Sequence, residues 1–460
     1  MGIQNKIAQY REYKNGVSHC TFNPGGPGVV RIHLVPPKFR LFSSRAYIVI
    51  LNGYYMLPIG YSWALLLSAF MREVNKFDGK PISEEDEQNI VKKTVKAVRS
   101  VYSSTSKEAI EDDLYEILRV LFAVAKNNDP EIDIEKLSVR TYAKNMTAPH
   151  RMDLMVSAMT DTEGKWKCNQ KCTFCYAAGQ CKAATEELDT DGWKKVIDKL
   201  YDAHIPMVTF TGGEPTLRDD IDVLVGYAKR LVTRLNTNGV LLTQDLAEKL
   251  KTAGLDSVQV TLYSSDRDTH NALVGSEHFD DTVNGIKNAV ATGLDISVNT
   301  PLCKKNADYI KTLEFVHSLG VRFVTASGLI CTGMAGTNHG EYDLDENALF
   351  NIISEAKTYC NSADMEMDFT SPGLISKEKL ESINMNVPMC GAALSNMAIA
   401  PDGTVVPCQS WLGSDSGLGN ILSDSFKCIW KNQKCLELRN MTDDEALSCP
   451  FRDGKDGERK

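Results

Sequence analysis

At 460 residues, 43% hydrophobic and 24% charged, the chain has enough apolar material for a full core and the length of about three domains. Its formal net charge of -9 comes without any basic stripe, which excludes broad binding to a phosphate backbone and hence a nucleic-acid partner. The N-terminus lacks the apolar core of a secretory signal. Nine of the thirteen cysteines lie between 168 and 181 or beyond Cys360, so they point to metal ligation in a reducing, cytoplasmic compartment rather than to a disulfide scaffold.

The first elements lie in an uncharged run from Ala46 to Met71, long enough to span a bilayer. Asn52-Gly53 is a preferred two-residue turn, its flanks are aromatic and β-branched, and Pro58 and Gly60 interrupt any helix. The run therefore reads as a hairpin over Tyr47 to Leu57 followed by a helix from Ser62 to about Val74, and no membrane segment is expected. Ser83 and Ser106 each open a further helix with apolar residues on one face. These elements define an N-terminal α+β domain, 1–136, closed by the charged, proline-containing stretch Asn127 to Lys136.

From Met152 the pattern becomes alternating strands and helices. Strands are predicted at Leu154–Ala158, Met207–Thr211, Thr233–Asn236, Ser257–Tyr263, Asp295–Thr300 and Arg322–Ala326. This is an α/β chain with a parallel sheet, and the pattern alone fits a doubly wound sheet or a barrel equally well.

After the first strand comes KCNQKCTFCY, in which Cys168, Cys172 and Cys175 aim three thiols from one short loop. Thiolates select zinc, copper(I) or iron-sulfur clusters. Zinc is the ordinary reading of an intracellular cysteine cluster, and Cys181 offers the fourth ligand that a structural zinc site wants. Downstream, however, the apolar strand Val208–Thr211 runs straight into Gly212-Gly213-Glu214-Pro215. The three-cysteine loop, with aromatic Phe174 before its last cysteine, and the strand leading into GGEP together resemble the signature of the radical S-adenosylmethionine superfamily.

The resemblance implies a partial (β/α)6 TIM-like barrel over 150–345, with the cluster on its first βα loop and the site at the C-terminal ends of the strands. It implies that Cys168, Cys172 and Cys175 hold three irons of a 4Fe-4S cluster whose fourth iron takes the amino and carboxylate groups of S-adenosyl-L-methionine. Gly212 and Gly213 would open the backbone to the cofactor and Glu214 would support its amino edge. Asn238, in Thr237-Asn238-Gly239, would lie near it. The fourth strand ends QVTLYSSD, with Tyr263 and Ser264 where relatives carry an acid and a glycine, which leaves Ser264 or Ser265 to reach the ribose or carboxylate. One electron from a donor such as flavodoxin or ferredoxin would then release methionine and a 5'-deoxyadenosyl radical that abstracts hydrogen from a substrate.

Beyond Cys360 the periodicity ends, and 346–460 reads as a separate C-terminal domain. Its MAIAPDGTVVPC is a hairpin turned at Asp402-Gly403. With Cys390 and Cys408 flanking it, the segment resembles the start of a SPASM or twitch region, which implies a second, auxiliary 4Fe-4S cluster on Cys390, Cys408 and, as third ligand, Cys449. A zinc ribbon is the alternative. Cys428 and Cys435 lie seven apart on one face of a helical-looking segment and are expected to be structural. The N-terminal order of hairpin and helices is similar to the winged-helix leader-recognition domains of ribosomal-peptide maturases, implying a precursor peptide as partner. A sulfatase-maturase-like or small-molecule dehydrogenase, and a non-catalytic cluster- or zinc-binding peptide module, are the rival readings.

Overall fold

The computed structural model describes residues 18–36, 47–132 and 146–450, apart from 27, 54 and 127, together with 7 and 143. The chain divides into two compact units, one within Met1–Ala148 and one formed by Pro149–Lys229 and Thr233–Lys460.

The first unit holds an antiparallel sheet whose strands follow chain order: β1 (His19–Phe22), β2 (Val30–Val35), β3 (Tyr47–Leu51) and β4 (Tyr55–Ile59). Asn52 and Gly53 both take positive φ, as the tight hairpin turn requires. The Asn52 side chain also accepts the Arg31 N–H at 2.7 Å, pinning the turn to β2. The hairpin is therefore not isolated as the sequence suggested: β3 is interior, and of the two hairpin strands β4 lies at the sheet edge. β1 is only four residues long, and β2, which alternates through VRIHLV, follows a glycine- and proline-rich turn. Helices Tyr61–Val74, Glu84–Val101 and Lys107–Ala125 pack on the sheet, the last two capped by Ser83 and Ser106 as expected. Phe22 of β1 meets Phe70 and Phe122 with ring centroids 5.8 and 5.6 Å apart, joining the sheet to the first and third helices. In the expected linker, Arg119 donates to the carbonyl oxygen of Pro130 at 3.0 Å, while residues 133–136 lie outside the described residues.

The second unit is built on ten strands: β5 (Arg151–Ser157), β6 (Met207–Gly212), β7 (Val232–Thr237), β8 (Ser257–Thr261), β9 (Asp295–Pro301), β10 (Phe323–Ser327), β11 (Glu366–Phe369), β12 (Asn396–Ile399), β13 (Thr404–Val406) and β14 (Gly419–Asn420). Their order across the sheet is β11-β10-β9-β8-β7-β6-β5-β12-β13-β14. The six predicted strands are β5 to β10, in sequence order and separated by helices, which makes this the α/β partial barrel. β8 and β9 alternate cleanly between buried and partly exposed positions. Leu154, Phe210, Leu235, Val258, Val298 and Val324 are buried on one face. Polar Thr209, Asn236, Gln259, Asn299 and Thr325 occupy the other, which lines a common cavity. On that inner face Gln259 of β8 reaches past β9 to Thr325 of β10, 3.2 Å away, a reach allowed by the concave side of a curled sheet.

Beyond the expected boundary at 346 the chain adds strands to the barrel sheet. β11 extends the sheet in parallel from β10, and β12 pairs in parallel with β5 on the other side, so the C-terminal hairpin continues the barrel sheet. Strands of two to four residues carry too little periodicity to show this in advance. Among the described residues no helix is long and apolar enough to cross a membrane.

Candidate active site

The loop after β5 carries the three cysteines, and the surrounding elements fix it at several points. Its Lys171 and Thr173 N–H groups donate to Val274 and Leu273 at 2.9 Å, at the end of helix Arg267–Val274. The Met334 N–H donates to the Cys175 carbonyl at 3.0 Å. Phe174, 6% exposed, is sunk into an apolar cluster with Tyr263, Leu273, Val274 and Leu329 and meets Tyr342 edge-on at 5.1 Å. The aromatic residue before the last cysteine is thus the anchor that holds the loop down, with Cys172 packed against the same cluster.

The GGEP turn meets this loop directly. A Cβ on Gly212 would sit 2.3 Å from the Ser157 carbonyl oxygen, and one on Gly213 would sit 2.6 Å from that of Ala158. Both glycines are therefore required by the close approach of the turn to the end of β5. That contact brings the Gly213 carbonyl oxygen to 3.4 Å from the Cys168 Sγ. Cys168, Cys172, Cys175, Gly212, Gly213, Glu214 and Asn238 line one cavity of about 270 Å³.

Glu214 is 1% exposed, and its two oxygens accept four hydrogen bonds: from the Thr216 N–H and hydroxyl at 3.0 and 2.6 Å, the Thr237 hydroxyl at 2.7 Å and the Asn238 N–H at 2.8 Å. Oε1 takes three of these bonds and Oε2 one, so the carboxylate is held on both sides while Oε2 keeps one acceptor site. Glu214 is thus committed to tying the end of β6 to the end of β7. Asn238 in turn donates its amide to Asn169 at 2.6 Å, inside the cysteine loop.

Ser264 and Ser265 do not line the cavity, contrary to expectation. The Ser264 hydroxyl accepts the Asp266 N–H at 3.0 Å, at the start of helix Arg267–Val274, and the Ser265 backbone N–H donates to the Thr312 hydroxyl at 3.1 Å, on helix Tyr309–Ser318. The fourth-strand residues facing the cavity are Gln259, Thr261 and Tyr263. Sequence reading passed over Gln259 and Asn299, although the alternation in SVQVT and DISVNT was the available signal.

Burial pushes the Cys168 thiol up to about 12, with Glu214 and Cys175 adding to the effect. Burial also raises Cys172, which Cys175 and Cys168 raise further, and Cys175. Three neighbouring buried thiolates need a strongly cationic centre to exist there, and soft sulfur donors select one of the zinc or iron-sulfur kind. Cys181, the fourth ligand of the zinc reading, is exposed with its Sγ 3.6 Å from the Leu412 carbonyl, and it does not line the cavity. A donor set of three thiols beside a roomy cavity fits a 4Fe-4S cluster with one iron left for S-adenosylmethionine.

A second cavity, of about 570 Å³, lies against the C-terminal hairpin and is lined by Cys390, Cys408 and Cys449. The turn between β12 and β13 has Gly403 at φ +85°, with the Asp402 side chain accepting the Thr404 N–H at 2.9 Å. Cys390 donates its N–H to the Ala446 carbonyl at 2.7 Å, which draws the chain end carrying Cys449 back to the hairpin. Burial, with Cys390 and Cys449 close by, pushes the Cys408 thiol up to about 12. Cys428 and Cys435 do not share a helix face. Asn432 accepts the Lys434 N–H at 3.0 Å and starts a new helix, leaving Cys428 exposed on Phe426–Trp430 and Cys435 buried on Gln433–Arg439.

A curled parallel sheet with a three-cysteine first loop against GGEP, and a cysteine-bearing hairpin joined to it, defines a radical S-adenosylmethionine protein with an auxiliary cluster segment. Residues 167–316 match the radical SAM superfamily and residues 390–450 match the SPASM iron-sulfur cluster-binding domain. Residues 167–316 thus form a radical SAM domain, of the kind that binds a 4Fe-4S cluster and S-adenosylmethionine, and residues 390–450 form a SPASM domain, of the kind that binds auxiliary iron-sulfur clusters.

Among its relatives is a probable GTP 3',8-cyclase of Saccharolobus islandicus, 34% identical over 38% of this chain and 58% of the cyclase's length. Another is the AdoMet-dependent heme synthase of Methanosarcina barkeri, 26% identical over 61% of this chain and 83% of that protein. In fold the chain resembles Streptococcus suis SuiB bound to precursor peptide SuiA, with TM-score 0.58 at 15% identity over 86% of this chain and 88% of SuiB. It also resembles anSMEcpe with bound AdoMet, with TM-score 0.51 at 16% identity over 64% of this chain and 84% of that one.

Proposed function

We propose that the chain modifies a ribosomally made precursor peptide by hydrogen abstraction. The observation that carries this reading is the extent of the likeness to SuiB, which covers 86% of the chain and so reaches beyond the unit from Pro149 onward into the N-terminal unit. The likeness to anSMEcpe covers 64%.

Once bound, the cluster and S-adenosylmethionine supply the one-electron chemistry that generates a hydrogen-abstracting radical. Cys168, Cys172 and Cys175 would hold the cluster, and Gly212, Gly213 and Asn238, which line the same cavity, would form its wall toward the cofactor. Glu214 is a positioning residue that fixes this wall. Phe174 and Tyr263 keep bulk water from the thiols. Gln259 and Asn299, on the polar inner face, orient the substrate over the cofactor. Cys390, Cys408 and Cys449 hold the auxiliary cluster, and a flavodoxin or ferredoxin of the cytoplasm supplies the electron.

A second reading, oxidation of a small molecule, is favoured by the sequence relatives whose names denote a cyclised nucleotide or a haem product. The test is anaerobic reconstitution followed by reduction with the precursor peptide encoded beside the gene. Peptide-dependent formation of 5'-deoxyadenosine with a changed peptide mass supports the first reading. Cleavage of S-adenosylmethionine with an unaltered peptide favours the second. A colourless protein that cleaves nothing would be a zinc module.

A further inference from the structure

One cysteine outside the assigned ligands lines the cavity of Cys390, Cys408 and Cys449. After β10 the chain runs through a short loop, 328–332, into helix Gly333–Tyr342. The loop is held from two sides. The Gly328 N–H donates to the Ser371 hydroxyl at 3.0 Å, and the Thr332 hydroxyl donates to the Tyr176 carbonyl at 3.3 Å. Gly333 has φ +57°, and a Cβ there would meet the Tyr176 carbonyl oxygen at 2.4 Å, so the helix start is seated on the first cysteine loop. Leu329 and Ile330 line both cavities, and Cys331 lines the one that Cys390, Cys408 and Cys449 also line.

Location separates Cys331 from the remaining cysteines. Cys20 is in the N-terminal unit, Cys303 and Cys360 are fully buried in the barrel, Cys181 and Cys428 are exposed, and Cys435 is buried on its own helix. None of these lines the auxiliary cavity. A 4Fe-4S cluster is completed by four thiolates, and the C-terminal segment offers three at this cavity.

We infer that Cys331 is the fourth ligand of the auxiliary cluster, so that this cluster is closed and joins the loop after β10 to the C-terminal hairpin. The inference rests on the proposed assignment of Cys390, Cys408 and Cys449. Its consequence is that the auxiliary cluster has no open iron for substrate and serves as an electron carrier. The loop it grips touches Cys175 through Met334.

The test needs no peptide and no turnover. A variant with Cys168, Cys172 and Cys175 all replaced by alanine, reconstituted with iron and sulfide, carries the auxiliary cluster alone. Its reduced paramagnetic spectrum should be indifferent to added cyanide. Adding Cys331→Ala should shift that spectrum and make it respond to cyanide. As a second measurement on the intact, loaded enzyme, Cys331 should resist alkylation by iodoacetamide and become reactive when the iron is removed.

Equal alkylation of Cys331 with and without iron, or an auxiliary spectrum unchanged by Cys331→Ala, overturns the inference while leaving the other three ligands standing. A triple variant that takes up no iron, while the intact chain holds one cluster, overturns the auxiliary site and this inference together.

Discussion

Glu214 and Asn238, just past the ends of β6 and β7, are joined by a backbone N–H donated to a buried carboxylate at 2.8 Å, and this bond carries the geometry of the cofactor wall from one strand end to the other. In Glu214→Gln, one oxygen becomes an NH2 group that cannot accept from Thr216, Thr237 or Asn238. At least one buried donor is then unpaired, at a cost of about 1–3 kcal/mol. We expect a lower melting temperature and weaker S-adenosylmethionine binding measured by calorimetry, with the iron content unchanged.

Phe174 gives a complementary prediction. Phe174→Ala removes the anchor of the cysteine loop and should cost about 3–5 kcal/mol, as core phenylalanine truncations do. The loss falls on the loop, so the variant should lose the radical SAM cluster on gel filtration and keep the auxiliary iron. Mössbauer spectroscopy of the two clusters checks this.

Much of this site was legible because its motifs are local. The spacing of Cys168, Cys172 and Cys175 lies within one loop, and GGEP follows its strand without interruption. What stayed hidden depends on long-range packing. The reason for Gly212 and Gly213 is the carbonyls of Ser157 and Ala158, more than fifty residues away. Ser264 looks like a ligand until the start of the next helix is seen to use its hydroxyl, and Ser265 until its backbone is seen to bond Thr312, 47 residues on. In the fold, the six barrel strands showed through their apolar runs, β1 and β11, four residues each, were too short to show a period, and the alternation VRIHLV of β2 was a signal passed over. The attachment of β12 to β5 joins residues about 245 apart in sequence, and no local pattern announces such a pairing.

His270 predicts the acid limb of the stability curve. Burial, and then His278, lower its pKa to about 4, and its Nδ1 accepts the Tyr263 N–H at 3.3 Å. The unfolded imidazole takes a proton near its ordinary value of 6.5, while the folded one resists until about 4. The stability it confers is therefore complete above 6.5 and is lost as the pH falls from there to about 4, by on the order of 3 kcal/mol. Urea titrations of His270→Gln should show a shallower fall over this window. An acid limb as steep as in the parent would refute the assignment.

Iron content separates the two clusters. The reconstituted chain should hold about eight irons, and the Cys168, Cys172 and Cys175 triple alanine variant about four. Cys172→Ala alone should abolish formation of 5'-deoxyadenosine without loss of solubility. Retained cleavage in that variant would remove Cys172 from the cluster.

The last prediction concerns the N-terminal unit. Val49, Leu51, Leu57 and Ile59 of the hairpin, with Trp63 and with Ile117 and Val120 of helix Lys107–Ala125, line an apolar cavity of about 290 Å³. β4 lies at the edge of the sheet beside it, and strand edges bind extended peptides through their main chains while alternate side chains enter pockets. A precursor held there would present its modified segment to the barrel at high effective concentration, so the barrel itself would need little sequence recognition. Val120 is only partly buried and packs against the core without belonging to it, so Val120→Arg should leave the unit folded. It should weaken binding of the precursor peptide tenfold or more by fluorescence anisotropy and reduce peptide modification, while peptide-independent cleavage of S-adenosylmethionine continues at the parent rate. Unchanged binding in a folded Val120→Arg protein would show that the precursor is recognised elsewhere. Loss of cleavage together with binding would show that this unit supports the barrel and does not recruit the peptide.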